Sequence, residues 1–405
     1  MRICMINDER FPSKAADTIN VVRTAAGLGQ AGATVELVIP RLRGHNADRD
    51  ELCEYYGVDP TFTLTRLAAL APRHRPAVRP EKLSHALLAP WHALRQGADV
   101  IYSRNFVPLA VAQMVGRPWV FETYRRFVEE SPRLPALTRW LPRSHALGVI
   151  AHSQRCANNM MALGFQPPSV LRAYSGYQED EVLPRLDQRT AREACGLPLD
   201  RPIVLHLGNI DPFVRIDTLF AVAQRLPAVL FLFVGGHAPE HQYWNERARA
   251  LELNNVQFVA HQPPSQVRRY VYVADALAVA PRNADLEAPS AGPSLSLFRI
   301  LPGFPMKIIT YLASGVPVFA PDLPYLTELL RHRDNAFLYP VDSPERASQI
   351  LQDLLGDSGF ARALAQRSQA RVQGLTWANR ARTILTFLES RLRERAALRA
   401  HKGAA

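Results

Sequence analysis

The sequence predicts an α/β protein made of two doubly wound domains in tandem. Three observations point there. The chain has 405 residues, more than a single hydrophobic core usually organises. Short β-branched and aliphatic runs alternate with longer segments of helical period through both halves, the pattern of parallel strands joined by crossover helices. Between Glu179 and Arg201 the alternation lapses into charged residues with Pro184 and Pro198, and Pro202 just beyond, as expected of a linker.

Taken in order, the first half reads as strands at Arg2–Ile6, Thr34–Ile39, Val100–Tyr102, Trp119–Glu122 and Gly148–Ala151, with helices such as Thr18–Gln30 and Leu83–Arg95 between them. The second half repeats the scheme with strands at Ile203–Leu207, Leu230–Val234, Val256–Ala260, Ala276–Ala280, Val316–Ala320 and Phe337–Tyr339. Thr376 is placed to cap a last helix whose Ala381, Ile384, Leu388 and Leu392 share one face. The basic tail from Arg391 to Lys402 is expected to fray.

With 47% apolar and 21% charged residues, the composition is that of an ordinary soluble protein. The first apolar stretch, Ile3–Ile6, stops at Asn7-Asp8, too short for a signal peptide, and Ala228–Val234 reads as a buried strand rather than a membrane span. Cys4, Cys53, Cys156 and Cys195 are scattered, so neither a zinc site nor a disulfide framework is expected. A cytoplasmic location fits, with room for peripheral attachment to the inner membrane face.

The net charge of +11 points to an anionic partner. Two basic clusters, Arg73, His74, Arg75, Arg79 and Lys82, then Arg125, Arg126, Arg133, Arg139 and Arg143, are interleaved with Leu, Trp and Phe. Contact with anionic lipid or a lipid-diphosphate acceptor and plain solvated faces explain them equally well; nucleic acid is not an expected partner.

Two motif matches are decoys. Gly27-Leu28-Gly29-Gln30-Ala31-Gly32 satisfies G-x-G-x-x-G, but it follows a helix and precedes a strand, which suits a helix C-terminus and not a dinucleotide loop. Asp48-Arg49-Asp50 lies in a polar stretch and reads as a solvated loop rather than a metal-binding D-x-D. In the loop Asn7 to Asp17, the run from Phe11 to Asp17 opens the Thr18 helix. Its small residues suit free N–H groups facing an anion or a sugar hydroxyl, and an ordinary βα loop explains it equally well.

The most informative stretch runs from Phe304 to Asp322. Pro305 suits the first position of a helix, Gly315 closes it, and the strand Val316–Ala320 follows at once. The unpaired N–H groups of Met306 and Lys307, with the Lys307 charge, suit a diphosphate in a crevice between domains. A cation at a helix start is unfavourable by a few tenths to about 1 kcal/mol, which an anionic ligand reverses. A purely structural helix is the alternative.

This stretch resembles the segment Pro-x-Lys-x-x-Glu-Tyr-x-Ala-x-Gly-x-Pro-Val of family 4 glycosyltransferases, followed by their Asp-x-Pro, here Asp322-Leu323-Pro324. Phe11 to Val22, Asp99-Val100-Ile101-Tyr102-Ser103-Arg104, Gly208-Asn209-Ile210-Asp211-Pro212 and Thr376-Trp377 resemble further stations of that family in order. The resemblance implies a GT-B fold, two facing Rossmann-like domains with a last helix that returns to the first. The expected domains are residues 1–183 with 376–398 on the acceptor side, and 184–375 for the donor.

It also implies transfer of a sugar from a nucleotide-diphosphate sugar to a saccharide or lipid-linked acceptor, with retention and without metal or other cofactor. Lys307 and Arg215 are the expected catalytic cations. Donor contacts are expected from Gly208, Asn209, His261, Gly303, Phe304, Met306, Lys307 and Thr310, and acceptor-side contacts from Ala16, Asp17, Arg104, Glu122, Tyr124 and Arg125.

The sequence departs from the family at several of these places. Pro302 and Thr310 stand where two glutamates are common, Asn209 and Val214 where an Arg and a Lys face the diphosphate, and Tyr124 where a histidine is frequent. Those losses keep a non-catalytic GT-B subunit in view, and a sugar-nucleotide 2-epimerase of similar architecture is a further alternative.

Overall fold

A computed structural model describes residues 1–13, 15–42, 44, 47–70, 79–130, 143–282 and 304–403. They fall into two compact units, one drawn from the described residues of 1–176 and 377–403, the other from those of 177–282 and 304–376.

The first unit holds a seven-stranded parallel sheet of order β3-β2-β1-β4-β5-β6-β7. Its strands are β1 (Arg2–Ile6), β2 (Thr34–Arg41), β3 (Thr63–Ala68), β4 (Val100–Ser103), β5 (Trp119–Thr123), β6 (Ala146–Ala151) and β7 (Val170–Arg172). The second unit holds six parallel strands of order β10-β9-β8-β11-β12-β13. These are β8 (Ile203–Leu207), β9 (Leu230–Val234), β10 (Val256–Val259), β11 (Ala276–Ala278), β12 (Val318–Pro321) and β13 (Phe337–Tyr339). The inner strands are apolar without alternation because helices cover both faces; all five residues of β9, Leu-Phe-Leu-Phe-Val, are buried.

Both strands absent from the sequence reading are edges. β3 pairs only with β2 and carries Thr63, Thr65 and Arg66, and β7 has three residues. β12 begins at Val318 rather than Val316, because Gly315 ends the preceding helix in a left-handed turn at φ 69° and the chain needs Val316-Pro317 to reach the sheet.

Two of the decoy glycines, Gly27 and Gly29, lie inside the helix Ala16–Gln30, which ends just after them. A Cβ on Gly27 would stand 2.9 Å from Ala381 Cβ, and one on Gly29 would stand 2.1 Å from the Thr61 carbonyl oxygen. They are there for close approach, and Gly32, at φ 100°, makes the turn into β2. Asp48-Arg49-Asp50 is not a loop but the start of the helix Arg49–Tyr56, with Asp48 and Glu51 forming a capping box.

The expected linker is also partly helical. Asp187 caps the helix Gln188–Cys195, and Arg192 pairs with Asp275 at 2.6 Å. The last helix runs from Trp377 to Gly403, so the basic tail is helical rather than frayed. Arg380 fastens this helix to the first unit: Nε donates to Tyr174 O at 2.9 Å, Nη1 to Thr24 Oγ1 at 2.9 Å and Nη2 to Glu122 Oε1 at 2.6 Å. Loss of either charge would strand the other in the core, at a cost of about 3–5 kcal/mol. No helix among the described residues is long and apolar enough to cross a membrane.

Candidate functional site

Doubly wound sheets bind ligands beyond the C-terminal ends of their strands, at the point where strand order reverses. In the second unit that point lies between β8 and β11, since β8 is followed by β9 on one side and flanked by β11 on the other. β8 ends at Leu207, and Gly208 turns the chain away at φ 125°. A Cβ on Gly235, just after β9, would sit 1.9 Å from the Gly208 carbonyl oxygen, so the two loops touch backbone to backbone. A Cβ on Gly208 would meet Lys307 Nζ at 3.0 Å. The ammonium group thus occupies the space that glycine leaves open.

The helix that brings Lys307 there spans Met306–Ser314. Pro305 is its N-cap, one position earlier than the sequence suggests, and offers no capping side chain. The amides of Met306 and Lys307 have no intrahelical acceptor, whereas that of Ile308 donates to Pro305 O at 3.2 Å. Ile308, Ile309 and Leu312 bury one face, and Tyr311 fixes the helix to β8 by accepting the Leu207 N–H at 2.9 Å.

Lys307 is half-buried, with Nζ 3.3 Å from His206 Nε2. The His206 Nδ1 lies 3.2 Å from Ala278 O, so a proton on Nδ1 satisfies that carbonyl and leaves Nε2 to accept from Lys307. Burial first, and the Lys307 charge second, hold the imidazole well below its ordinary pKa, consistent with that neutral tautomer. Burial, and then the positive charge of Arg282, lower the Lys307 amine to about 7. Among the described residues no carboxylate pairs with Lys307. An amine and a helix start without a capping side chain therefore meet beside Gly208, close enough to Arg282 for its charge to lower the amine's pKa, which is the electrostatic character of an anion site.

The other expected donor residues are placed as follows. Asn209 directly follows Gly208, its Oδ1 accepting from Asp211 N at 3.2 Å. Phe304 is buried just before the helix, Met306 and Thr310 are half-buried on it, and His261 lies in the loop after β10. Gly303 and Pro302 lie outside the described residues. The Arg215 guanidinium is not free: Asp217 holds Nε at 2.9 Å and Nη2 at 3.0 Å. Its backbone N–H, donating to Pro281 O at 2.8 Å, instead anchors the loop beside Arg282.

In the first unit the reversal lies between β1 and β4. Arg104, just after β4, pairs with Asp17 Oδ1 at 3.0 Å and lies 5.0 Å from the centre of the Tyr124 ring. Three expected acceptor-side residues are thereby joined, with exposed Ala16 at the start of a helix that begins two residues before Thr18. Arg125 lies over the Phe127 ring at 4.8 Å.

Glu122 departs from expectation. It is fully buried, with Oε2 accepting from Tyr102 at 2.6 Å and Oε1 bound to Arg380 and His152. Burial works to raise its pKa, but Arg380 first, then His152, hold the carboxyl well below the usual range. It anchors the core instead of lining a surface.

The second basic cluster is also partly turned inward: Arg126 is buried and pairs with Glu129, and Arg143 lies over Phe165. Arg73, His74, Arg75, Arg133 and Arg139 lie outside the described residues. No group of His, Cys, Asp and Glu among the described residues is arranged to hold a metal ion.

Sequence reasoning missed His206, Arg282, Tyr311 and Gly235. A lone histidine within Ile203-Val204-Leu205-His206-Leu207 was a visible signal, because a buried strand seldom takes one without a partner.

Residues 187–371 match the model of the family described as "Glycosyl transferases group 1". The chain is 25% identical over 256 residues to a D-inositol 3-phosphate glycosyltransferase of Jonesia denitrificans, a match that takes in 60% of this chain and 56% of that relative's length. In overall fold it is similar to a glycosyltransferase from Rickettsia africae, with a TM-score of 0.74 at 14% identity, covering 96% of this chain and 98% of that one. It is also similar to Anabaena HepE in complex with UDP and glucose, with a TM-score of 0.70 at 18% identity, covering 96% and 100%. The fold is the GT-B fold of those structures.

Proposed function

We propose that this chain is a family 4 glycosyltransferase that moves a sugar, with retention, from a nucleotide-diphosphate sugar to a saccharide or lipid-linked acceptor. The observation that carries the reading is the Lys307 amine beside Gly208, with no carboxylate partner among the described residues, at the start of an uncapped helix and at the strand-order reversal of the second unit. The match of residues 187–371 to group 1 glycosyl transferases supports it. So does the bound UDP and glucose of HepE.

In this reading the donor's pyrophosphate lies against Gly208 and the amides of Met306 and Lys307. Transfer breaks the bond between the anomeric carbon and the phosphate oxygen and forms one to the acceptor oxygen, while the acceptor proton passes to the departing phosphate. Charge grows on that phosphate, and fixed cations and dipoles lower the barrier most when they already point there. Lys307 and the helix start supply them from the chain itself, in the place of a metal. The Thr310 hydroxyl, one turn on, is offered to the donor ribose as a weaker partner than a carboxylate. Arg215 acts through its loop, because Asp217 neutralises its charge. Asp17, Arg104 and Tyr124 are the acceptor-side group.

The test is to incubate the protein with a panel of nucleotide sugars, with and without saccharide and lipid-linked acceptors, and to follow nucleotide release and product anomeric configuration. Acceptor-dependent release with retention is expected. Acceptor-free interconversion of the donor would instead mean an epimerase, and absence of both turnover and donor binding a non-catalytic subunit.

A further inference from the structure

The helix Pro80–Arg95 of the first unit is turned inside out relative to a helix that serves only to pack. Its buried positions carry Glu81, His85, Ala86, Ala89, Pro90 and Ala93. Its exposed positions carry Leu83 (41% exposed), Leu87 (45%), Leu88 (51%) and Trp91 (51%). From Arg79 to Arg95, every exposed side chain between the two end arginines is one of these four. Residues 83, 87 and 91 recur at intervals of four, so they form one stripe along the helix. The adjoining helix Phe106–Met114 also exposes Phe106 and Val107.

We propose that this face is a docking surface for a bilayer containing anionic lipid. The charges are the first argument for that occupant. Exposed Arg79 and Arg95 stand at the two ends of the apolar stripe, no acidic side chain is exposed between them, and the chain as a whole carries +11. An apolar stripe with Trp and Leu, bracketed by arginines, is the composition of a helix lying in a membrane interface, its apolar face among acyl chains and its cations among phosphates.

Area is the second argument. Four side chains about half exposed offer on the order of 400 Å², against about 800 Å² per partner in a stable protein pair. Insertion into lipid needs no matching surface and makes use of the same patch at its actual size. A link to the acceptor-side group also exists: Lys82, in the first turn, pairs with Asp8 at 3.3 Å and with Glu9, in the loop that leads from β1 toward Asp17. Docking of the helix would hold that loop at the lipid surface, where a lipid-linked acceptor resides. The docking surface itself stands independently of the transferase reading.

Flotation of the full chain with phosphatidylcholine vesicles, with and without phosphatidylglycerol, tests it. Binding is expected to require the anionic lipid. The double variant Leu87→Gln with Trp91→Gln changes only exposed positions and keeps good helix formers, and it is expected to lower partitioning at least about tenfold. Arg79→Gln with Arg95→Gln is expected to reduce the preference for anionic vesicles. With the unmodified helix, brominated acyl chains should quench part of the tryptophan emission, and Trp91→Phe should remove that part. Failure to bind anionic vesicles, or unchanged binding by the double glutamine variant, would overturn the proposal. So would a dimer in solution that the double variant dissolves while vesicle binding stays the same, since the face would then belong to a second copy.

Discussion

Lys307 Nζ lies 3.3 Å from His206 Nε2, and the histidine's other nitrogen is 3.2 Å from a strand carbonyl oxygen. A neutral imidazole therefore orients the amine without neutralising it. A carboxylate in the same place would raise the lysine pKa and occupy the charge that a phosphate needs. The pair leaves the amine aimed, half-buried and close to its titration point.

With the donor's diphosphate at Lys307, as proposed, that arrangement fixes how donor binding depends on pH. The free amine titrates at about 7, and a diphosphate beside it favours the charged form, so its pKa rises in the complex. Below about pH 7 both states are protonated and affinity stays level. Above it the complex must take up a proton, and affinity should fall by up to about tenfold per pH unit until the bound pKa is reached. Titration of a nucleotide sugar between about pH 6 and 9 reads this directly, and Lys307→Arg, always charged, should flatten the profile.

Gly208→Ala probes the same contact from the backbone. At φ 125° an alanine is strained, at about 1–3 kcal/mol, and its Cβ would sit 3.0 Å from Nζ and 3.2 Å from Cε of Lys307. The flexible end of the lysine gives way first. The expected result is a folded protein, less stable by that amount, that binds donor about tenfold more weakly. Gly235→Ala is expected to be far worse for folding, because its Cβ meets rigid backbone at 1.9 Å.

Three buried histidines predict acid sensitivity. Burial, as the largest cause in each case, lowers His85 and His152 to about 4 and holds His206 well below its ordinary value. In the unfolded chain each binds a proton near pH 6.5, whereas the folded chain binds it only at lower pH. Stability is therefore lost as pH falls from about 6.5 toward 4, each histidine adding at most about 1.4 kcal/mol per pH unit. Urea unfolding at about pH 7, 6 and 5 should show a falling midpoint, and equal midpoints would contradict the assignment of neutral histidines.

The inner strands and the Lys307 helix were legible because a strand buried on both faces, or a helix between Pro305 and Gly315, leaves a local signature. The edges β3 and β7 were not, since edge strands bury less and carry Thr and Arg. At the site, Gly208 and Lys307 were readable from their motifs. What escaped was pairing across long separations. That His206 would meet Lys307, that Arg380 would claim Glu122, and that Asp217 would occupy Arg215 are matters of tertiary distance. Glu122 was misplaced for that reason: a carboxylate at the end of a strand looks accessible until an arginine more than two hundred residues away is seen to bury it.

Calorimetric titration of nucleotide sugars into the wild-type chain and Lys307→Met bears most directly on the donor site. The amine's depressed pKa means that its charge is held at a cost to the unliganded fold, present below about pH 7 and relieved as pH rises. The methionine variant is therefore expected to be at least as stable as wild type, by on the order of 1 kcal/mol, while donor affinity falls by about a hundredfold or more. Unchanged affinity in a folded Lys307→Met protein would contradict the placement of the diphosphate at this helix.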